Sequence, residues 1–311
     1  MWDAAQTQLA VLGYYIASLV WLGLTVYSWV TKRWRSWIVF SVAFMLVLNL
    51  RFFVVGIPET LAQNTSIADL NLRLFEDTSQ PSSGLVTCED NLCALPGSAT
   101  VLHTQWAAAF YSRFAGEQLF QSALLYGHIL GNSIAFVLVT VQLLYPGLGR
   151  QRIGESDVSN PRHRTAARNR IHALMGRMSF VSMVIGVLLG VILASQHHAV
   201  AAYGGLWSQW GLYSMSAFVF FTGLLGVAAI KRGHRAAHRV WMWRHAGALW
   251  GSFFVFRVTI NALDPVFLDY PGVAWSTACW VGAPGGILIA EWFRRRQDTK
   301  LITPVQSALS H

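Results

Sequence analysis

The chain has 311 residues, of which 54% are hydrophobic and 12% are charged, and its mean hydropathy is +0.43. This composition excludes a disordered chain and is unusual for a soluble domain. The net charge of +9 would suit a nucleic-acid-binding protein, but the basic residues fall in short clusters between apolar segments, as in membrane proteins. The sequence therefore predicts an integral membrane protein of the bacterial inner membrane or another plasma membrane, with no nucleic-acid partner.

Seven segments have the length of about 20 mostly apolar residues that a membrane helix needs. They cover approximately residues 9–30, 37–57, 119–145, 172–194, 210–230, 231–261 and 275–293. We therefore predict an all-α integral membrane protein with seven transmembrane helices. The N-terminal MWDAAQTQ lacks the basic stretch of a cleaved signal peptide, so the first segment is interpreted as a retained span.

The predicted spans divide the chain into four parts. Residues 1–57 hold two transmembrane helices, and residues 58–118 form an outer loop that ends in an amphipathic helix. Residues 119–262 form a four-helix transmembrane core, and residues 263–311 hold the seventh helix and a cytoplasmic tail.

The charges of the loops predict the orientation of the chain. The loops that follow the first, third, fifth and seventh spans are basic, whereas the alternate loops are acidic or neutral. Because cytoplasmic loops carry the excess of Lys and Arg, the N-terminus is predicted to lie outside and the C-terminus in the cytoplasm.

The outer loop contains two cysteines in the sequence CEDNLC. In an oxidising compartment, Cys88 and Cys93 can form a disulfide that closes a short loop. The alternative is two unrelated free thiols. Cys279 lies within the seventh span and is predicted to be unpaired.

Two glycine motifs predict unusual helix geometry. Gly186 and Gly190 form a GxxxG arrangement, which favours close helix packing. The sequence GAPGG at residues 282–286 is expected to break or kink the seventh span, because proline disrupts a helix interior.

The polar residues within or beside the spans sort by depth into two layers. The layer toward the cytoplasm holds His172, Arg177, His238, Arg244 and His245. The layer toward the outside holds Arg51, Gln121, His128, His197, His198 and Arg257. Ionisable residues inside a membrane are costly and usually functional. Imidazoles at matched depth on neighbouring helices can ligate haem iron from both faces, and nearby arginines can pair with the haem propionates.

Each of these residues also has a plainer interpretation. Histidines beside basic clusters, such as His172 and His238, can be solvated headgroup contacts, and His197 can be an ordinary loop residue. His128 can form a structural hydrogen bond to another helix. The outer arginines can extend toward the membrane surface, because long cationic side chains reach for water.

Part of the sequence resembles an uncharacterised family of bacterial and fungal membrane proteins called domain of unknown function 2306. The similarity covers about residues 121–261 and lies in HALMGRMSF, in AHRVWMWR and in a downstream arginine. The family pattern matches His128, His172, Gly176, Arg177, His238, Arg239, Trp241, Met242, Arg244 and Arg257. This resemblance implies which residues matter but no activity. The core is also loosely similar to transmembrane b-type cytochromes, although its fifth span has no histidine.

The leading hypothesis is a haem-b-binding membrane oxidoreductase or electron-transfer protein, with quinol or a redox protein as its partner. His172 and His238 are the expected ligands, with His245 as a substitute for the latter. An outer site at His128, flanked by Arg51 and Arg257, would bind a second cofactor or a substrate, and a second haem there would need His197 or His198.

Two alternatives from other classes stay open. One is a non-redox transporter or small-molecule binder that uses the outer polar residues. The other is a membrane enzyme acting on a lipid, with a non-haem metal held by histidines such as His128, His172 and His238.

Overall fold

The computed structural model describes a set of helical ranges with their connecting turns. These are residues 16, 19–21, 23–28, 30–31, 34–54, 56, 119–144, 161–195, 205–263, 266–267 and 271–309. Within these ranges the chain is helical apart from short turns, and no strand occurs. The all-α prediction is confirmed for this part of the protein.

The described helices are labelled in chain order, and a π-helical segment joins the fifth to the sixth. They are α1 (Trp34–Val54), α2 (Leu119–Leu144), α3 (Pro161–Ser195), α4 (Gly205–Lys231), α5 (Arg235–Trp250), the π segment (Gly251–Val255), α6 (Phe256–Leu263) and α7 (Pro271–Leu309).

Five of these helices, α1, α2, α3, α4 and α7, are long and apolar enough to cross a membrane. Large apolar side chains point outward from them; Leu188 is 57% exposed and Leu288 is 71% exposed. Such surfaces mark membrane contacts, because water does not tolerate continuous apolar faces of this extent. The protein is therefore a helical membrane protein whose apolar helices suit a lipid bilayer.

The predicted sixth span corresponds to α5, the π segment and α6 together. Neither helix reaches the length of a span by itself, since α5 has 16 residues and α6 has 8. The backbone at Gly251 and Phe256 keeps right-handed helical dihedrals, so the chain continues through the π segment. A π segment inside a helix is often found at a functional site.

The boundary between the fifth and sixth predicted spans is a tight turn. The amide N–H of Gly233 donates to the Ile230 carbonyl at 3.0 Å, and that of His234 donates to the Ala229 carbonyl at 2.9 Å. Gly233 has φ +80°, a left-handed conformation that glycine adopts without strain. This pair of bonds closes the C-terminus of α4 as a Schellman motif. The predicted start of the sixth span at residue 231 is therefore wrong, and α5 begins at Arg235.

The candidate fourth span begins at Asn169, close to the predicted residue 172, but the helix that contains it begins earlier. Residues 161–171 were assigned to a basic link, but they form the first turns of α3. Pro161 occupies the first helical position, where its missing N–H costs nothing. The helix therefore extends beyond the apolar part that crosses the membrane.

The chain divides into two compact units. The first takes the described parts of 1–129, 192–210 and 260–277, and the second those of 130–191, 211–259 and 278–311. Every interaction described below joins residues of the same unit.

Polar side chains join the helices of the first unit. Trp21 Nε1 donates to Ser41 Oγ at 2.9 Å, and Gln209 Nε2 donates to the Ala194 carbonyl at 2.8 Å. Burying polar groups costs little when they are hydrogen-bonded in this way.

Glycines let the helices of the second unit approach closely. A methyl group placed on Gly131 would lie 2.7 Å from the Ser182 carbonyl oxygen, and one on Gly186 would lie 2.7 Å from Asn132 Oδ1. The close packing predicted for Gly186 is confirmed, because α2 leaves no room for a side chain there.

The glycines of the GAPGG sequence also permit close helix packing, in this case by α7. A methyl group on Gly286 would collide with the Gly247 carbonyl, and one on Gly251 would collide with the Gly282 carbonyl. α7 runs without interruption through these residues, so the predicted break is wrong. The glycines instead allow the backbone of α7 to touch the backbones of α5 and of the π segment.

Candidate functional site

Two histidines on one face of α5 bond to backbone carbonyls of α4. His238 Nδ1 lies 2.8 Å from the Gly226 carbonyl oxygen. A carbonyl only accepts hydrogen bonds, so Nδ1 carries the proton and the neutral ring keeps the lone pair on Nε2. Metal-ligating histidines are commonly oriented by this kind of bond. His238 is therefore held with its Nε2 ready to bind a ligand.

His172, on α3, is the histidine predicted to bind haem together with His238. Its backbone carbonyl accepts a hydrogen bond from Gln142 Nε2 at 2.8 Å, which ties α3 to α2. Its Nδ1 is buried and has no hydrogen-bond partner among the described residues. The imidazole lies close enough to that of His238 for the two rings to interact electrostatically. The predicted ligation of one haem by His172 and His238 stays a prediction.

His245 occupies a different environment. It is only 2% exposed, and its Nδ1 lies 3.1 Å from the Val219 carbonyl oxygen and 3.4 Å from Thr222 Oγ1. A methyl group on Gly223 would lie 3.1 Å from its Cε1 atom. His245 therefore fills the contact between α4 and α5, and its role as a substitute ligand stays a prediction.

The arginines predicted to pair with propionates differ from each other. Arg177 is exposed. The guanidinium carbon of Arg244 lies 4.8 Å from the centre of the Trp241 ring, and its Nε lies 3.7 Å from Glu291 Oε2. Arg244 thus has an aromatic and an acidic partner within the protein, and a haem propionate would have to share it with Glu291.

Glu291 is the polar residue that the sequence analysis missed. Besides Arg244, it accepts a hydrogen bond from Arg294 Nη2 at 2.6 Å and one from Arg295 Nε at 3.2 Å. The signal was present in the sequence, because side chains three and four positions apart on a helix are neighbours. Its contact with Arg244 on another helix could not be deduced from spacing.

The predicted outer site is divided between the two units. His128 and Arg51 are half-buried and belong to the first unit. Arg257 belongs to the second, where its Nη1 donates to the Phe253 carbonyl at 2.9 Å within its own helix. The second cofactor or substrate predicted at this outer site stays a prediction.

Several predicted residues lie outside the described part of the chain. These are Cys88, Cys93, His197 and His198. The disulfide and the loop-histidine ligand therefore stay predictions. Cys279 is described; it is buried and forms no disulfide with any described residue.

No group of three His, Cys, Asp or Glu side chains that could hold a metal ion occurs among the described residues. Metal enzymes generally use three protein ligands or more, whereas haem iron takes one or two axial ligands. A site of the second kind needs only two histidines, and haem ligation by His172 and His238 stays a prediction.

A lateral groove of about 520 Å³ lies beside the histidines of α5. Its walls are mostly apolar and come from α4, α5 and α7. They include Phe218, Phe221, Leu225, Trp241, Arg244 and Ile287. The phenyl rings of α4 are well exposed, so the groove opens sideways from the helices.

Comparisons of the whole chain with protein-family models, with curated proteins and with solved structures find no match. The family resemblance carried by the histidine and arginine motifs stays a prediction. The candidate site therefore has to be judged by its own geometry.

Proposed function

We propose that this protein binds haem b between His172 and His238 and transfers electrons within the membrane. The observation that carries the proposal is the buried Nδ1 of His172, which has no hydrogen-bond partner among the described residues. The ring of His238, which a backbone carbonyl orients, lies within electrostatic range of it. The two rings come from α3 and α5, so one ligand would approach the iron from each of two helices.

The residues around the pair fit such a group. His238 presents Nε2, and His172 has a buried nitrogen that would gain a partner on binding. A buried nitrogen without a hydrogen bond costs about 1–3 kcal/mol, so a ligand or a bound water would stabilise the site. Gly176 leaves space one turn from His172, since a methyl group there would contact only Gln142 Nε2, at 3.5 Å.

Bound haem would supply one-electron redox chemistry, and the chain's own part would be positioning. The Gly226 carbonyl fixes the rotation of the His238 ring, and the Gln142 amide fixes the backbone that carries His172. The apolar helices around the pair would exclude water, which tunes the potential of a haem iron.

The proposal includes the seven-span topology, with the N-terminus outside and the histidine pair toward the cytoplasm. Its support is the alternation of basic and acidic loops. Reporter fusions at both termini test it. A cytoplasmic N-terminus would overturn the orientation and exchange the inner and outer layers.

An absorbance spectrum of the purified protein, expressed with ample haem, tests the haem site. We expect a Soret band that is lost or shifted in His172→Ala and in His238→Ala. The matched control is His234→Ala, because His234 is an exposed histidine just before the same helix. This variant should keep the wild-type spectrum.

Two outcomes would contradict the haem assignment. Colourless wild-type protein would reject it, as would a Soret band that survives both histidine substitutions. In either case a transport or small-molecule-binding function at the outer polar residues becomes the better hypothesis.

The electron partner can be tested in the same preparation. If quinol supplies the electrons, a soluble quinol analogue should convert the oxidised spectrum to the reduced one. If reduction occurs only with a membrane extract, the partner is a redox protein.

A further inference from the structure

We infer that the lateral groove beside α5 binds one anionic phospholipid of the surrounding bilayer, with its phosphate at Arg244 and an acyl chain along α4. The inference does not depend on haem binding, since it rests on the groove and on the charges beside it.

The groove has the shape and chemistry that an acyl chain requires. Its volume of about 520 Å³ lies within the usual range of small-molecule sites. Phe218 is 40% exposed, Phe221 is 56% exposed and Leu225 is 41% exposed, so the wall on α4 faces outward. In a helix that crosses a membrane, an outward apolar wall faces lipid rather than water. The occupant can therefore enter directly from the bilayer.

The charges at one side of the groove select the headgroup. Arg244 lies in the groove wall and shares Glu291 with Arg294 and Arg295, so three guanidiniums surround one carboxylate. These described residues carry three positive charges against one negative charge. The excess of two positive charges favours a phosphate, which arginine binds with paired hydrogen bonds.

Arg244 lies where the apolar groove meets the basic residues. Its guanidinium lies over the Trp241 ring, which is itself part of the wall. The aromatic contact keeps the cation at the edge of the apolar groove. A lipid whose phosphate meets this cation would have an acyl chain beside Phe218 and Phe221, whereas a free phosphate ion would leave the groove uncovered.

The test uses the full-length protein in nanodiscs of equal parts phosphatidylglycerol and phosphatidylcholine. Either lipid carries a photoreactive diazirine on one acyl chain, and labelled peptides are mapped after irradiation. We expect labelling of the α4 residues that line the groove to be several-fold stronger with phosphatidylglycerol. Arg244→Gln should reduce this preference about five-fold, the effect of one cation near an anionic headgroup.

Two further variants separate the groove from general surface charge. Arg296→Gln removes the same charge from α7, where Arg296 lies 4.0 Å over the Trp292 ring and outside the groove wall. It should keep the preference. Ala217→Trp fills the groove without changing charge and should abolish the preference of α4 labelling for phosphatidylglycerol.

Three results would overturn the inference. They are equal labelling by the two lipids, an equal loss in Arg244→Gln and Arg296→Gln, and displacement of the labelled lipid by millimolar inorganic phosphate. If Arg244→Gln does not fold, Ala217→Trp still decides whether the chain lies in the groove, and Arg244→Lys decides whether the charge matters.

Discussion

His238 and His245 have the same arrangement in α5 but different surroundings. They are seven residues apart on one helical face, and their Nδ1 atoms bond to the carbonyls of Gly226 and Val219, which are also seven apart on α4. Only His245 is enclosed, at 2% exposure, whereas His238 is half-buried and lies within electrostatic range of a second imidazole, that of His172. Identical local chemistry thus gives one packing residue and one candidate ligand.

The difference comes from what the neighbouring helices place beside each ring. At His245, Gly223 and Met183 close the space, because a methyl group on Gly223 would lie 2.9 Å from Met183 Cε. Gly226, whose carbonyl bonds to His238, instead faces the sulfur of Met242, which belongs to the same helix as that histidine. Thus α3 fills the space beside His245 with a methionine side chain.

The largest expected effect that follows from this comparison is on stability. His245→Ala should lower the free energy of unfolding by about 3 kcal/mol, because it leaves a cavity in a closed interface. His238→Ala should lower it by about 1 kcal/mol, the usual value of one hydrogen bond. Unfolding in mixed detergent micelles, without added haem, measures both. Equal losses would mean that the two rings are equally structural.

An intermediate loss of stability is expected for alanine substitutions at Gly223 and Gly226 of α4. Gly223→Ala should destabilise the protein by about 2 kcal/mol, because the new methyl group meets the buried His245 ring. Gly226→Ala is the matched control. Its methyl group would meet Met242 Sδ at 2.8 Å, and this flexible side chain can move aside.

The same micelle titration decides between the two glycine sites. We expect a loss below about 1 kcal/mol for Gly226→Ala. If Gly226→Ala proves the more damaging of the two, then the packing around Met242 yields less than the packing around His245, and the contrast between the two sites is wrong.

The smallest effect concerns the hydroxyl beside His245. Thr222 Oγ1 lies 3.4 Å from His245 Nδ1, whereas the Val219 carbonyl is at 3.1 Å. Thr222 Oγ1 also donates to the Phe218 carbonyl, at 2.6 Å. Thr222→Val should therefore cost less than about 1 kcal/mol, since the better bond to His245 is kept.

Thr222→Ser, which retains the hydroxyl, is the control for this substitution. A loss above about 2 kcal/mol in Thr222→Val, with Thr222→Ser unaffected, would show that the hydroxyl orients His245.

The sequence alone determined the fold class and the candidate ligands. Runs of about 20 apolar residues predicted the five membrane-length helices, because a bilayer demands that length and that composition. Histidines within or beside such runs are costly enough to be noticed, and this reasoning selected His172 and His238. It also selected His245 and could not tell the three apart.

Only the tertiary structure decided what surrounds each of these histidines. Helical periodicity tells which residues share a face, but not which neighbouring helix covers that face. Gly223 and Met183 enclose His245, the carbonyl of Gly226 bonds to His238, and Glu291 of α7 meets Arg244. These contacts join residues far apart in the chain, so no local pattern encodes them. The role of the GAPGG sequence was likewise decided by the tertiary structure. Its glycines allow close contact with α5 and the π segment and do not break α7.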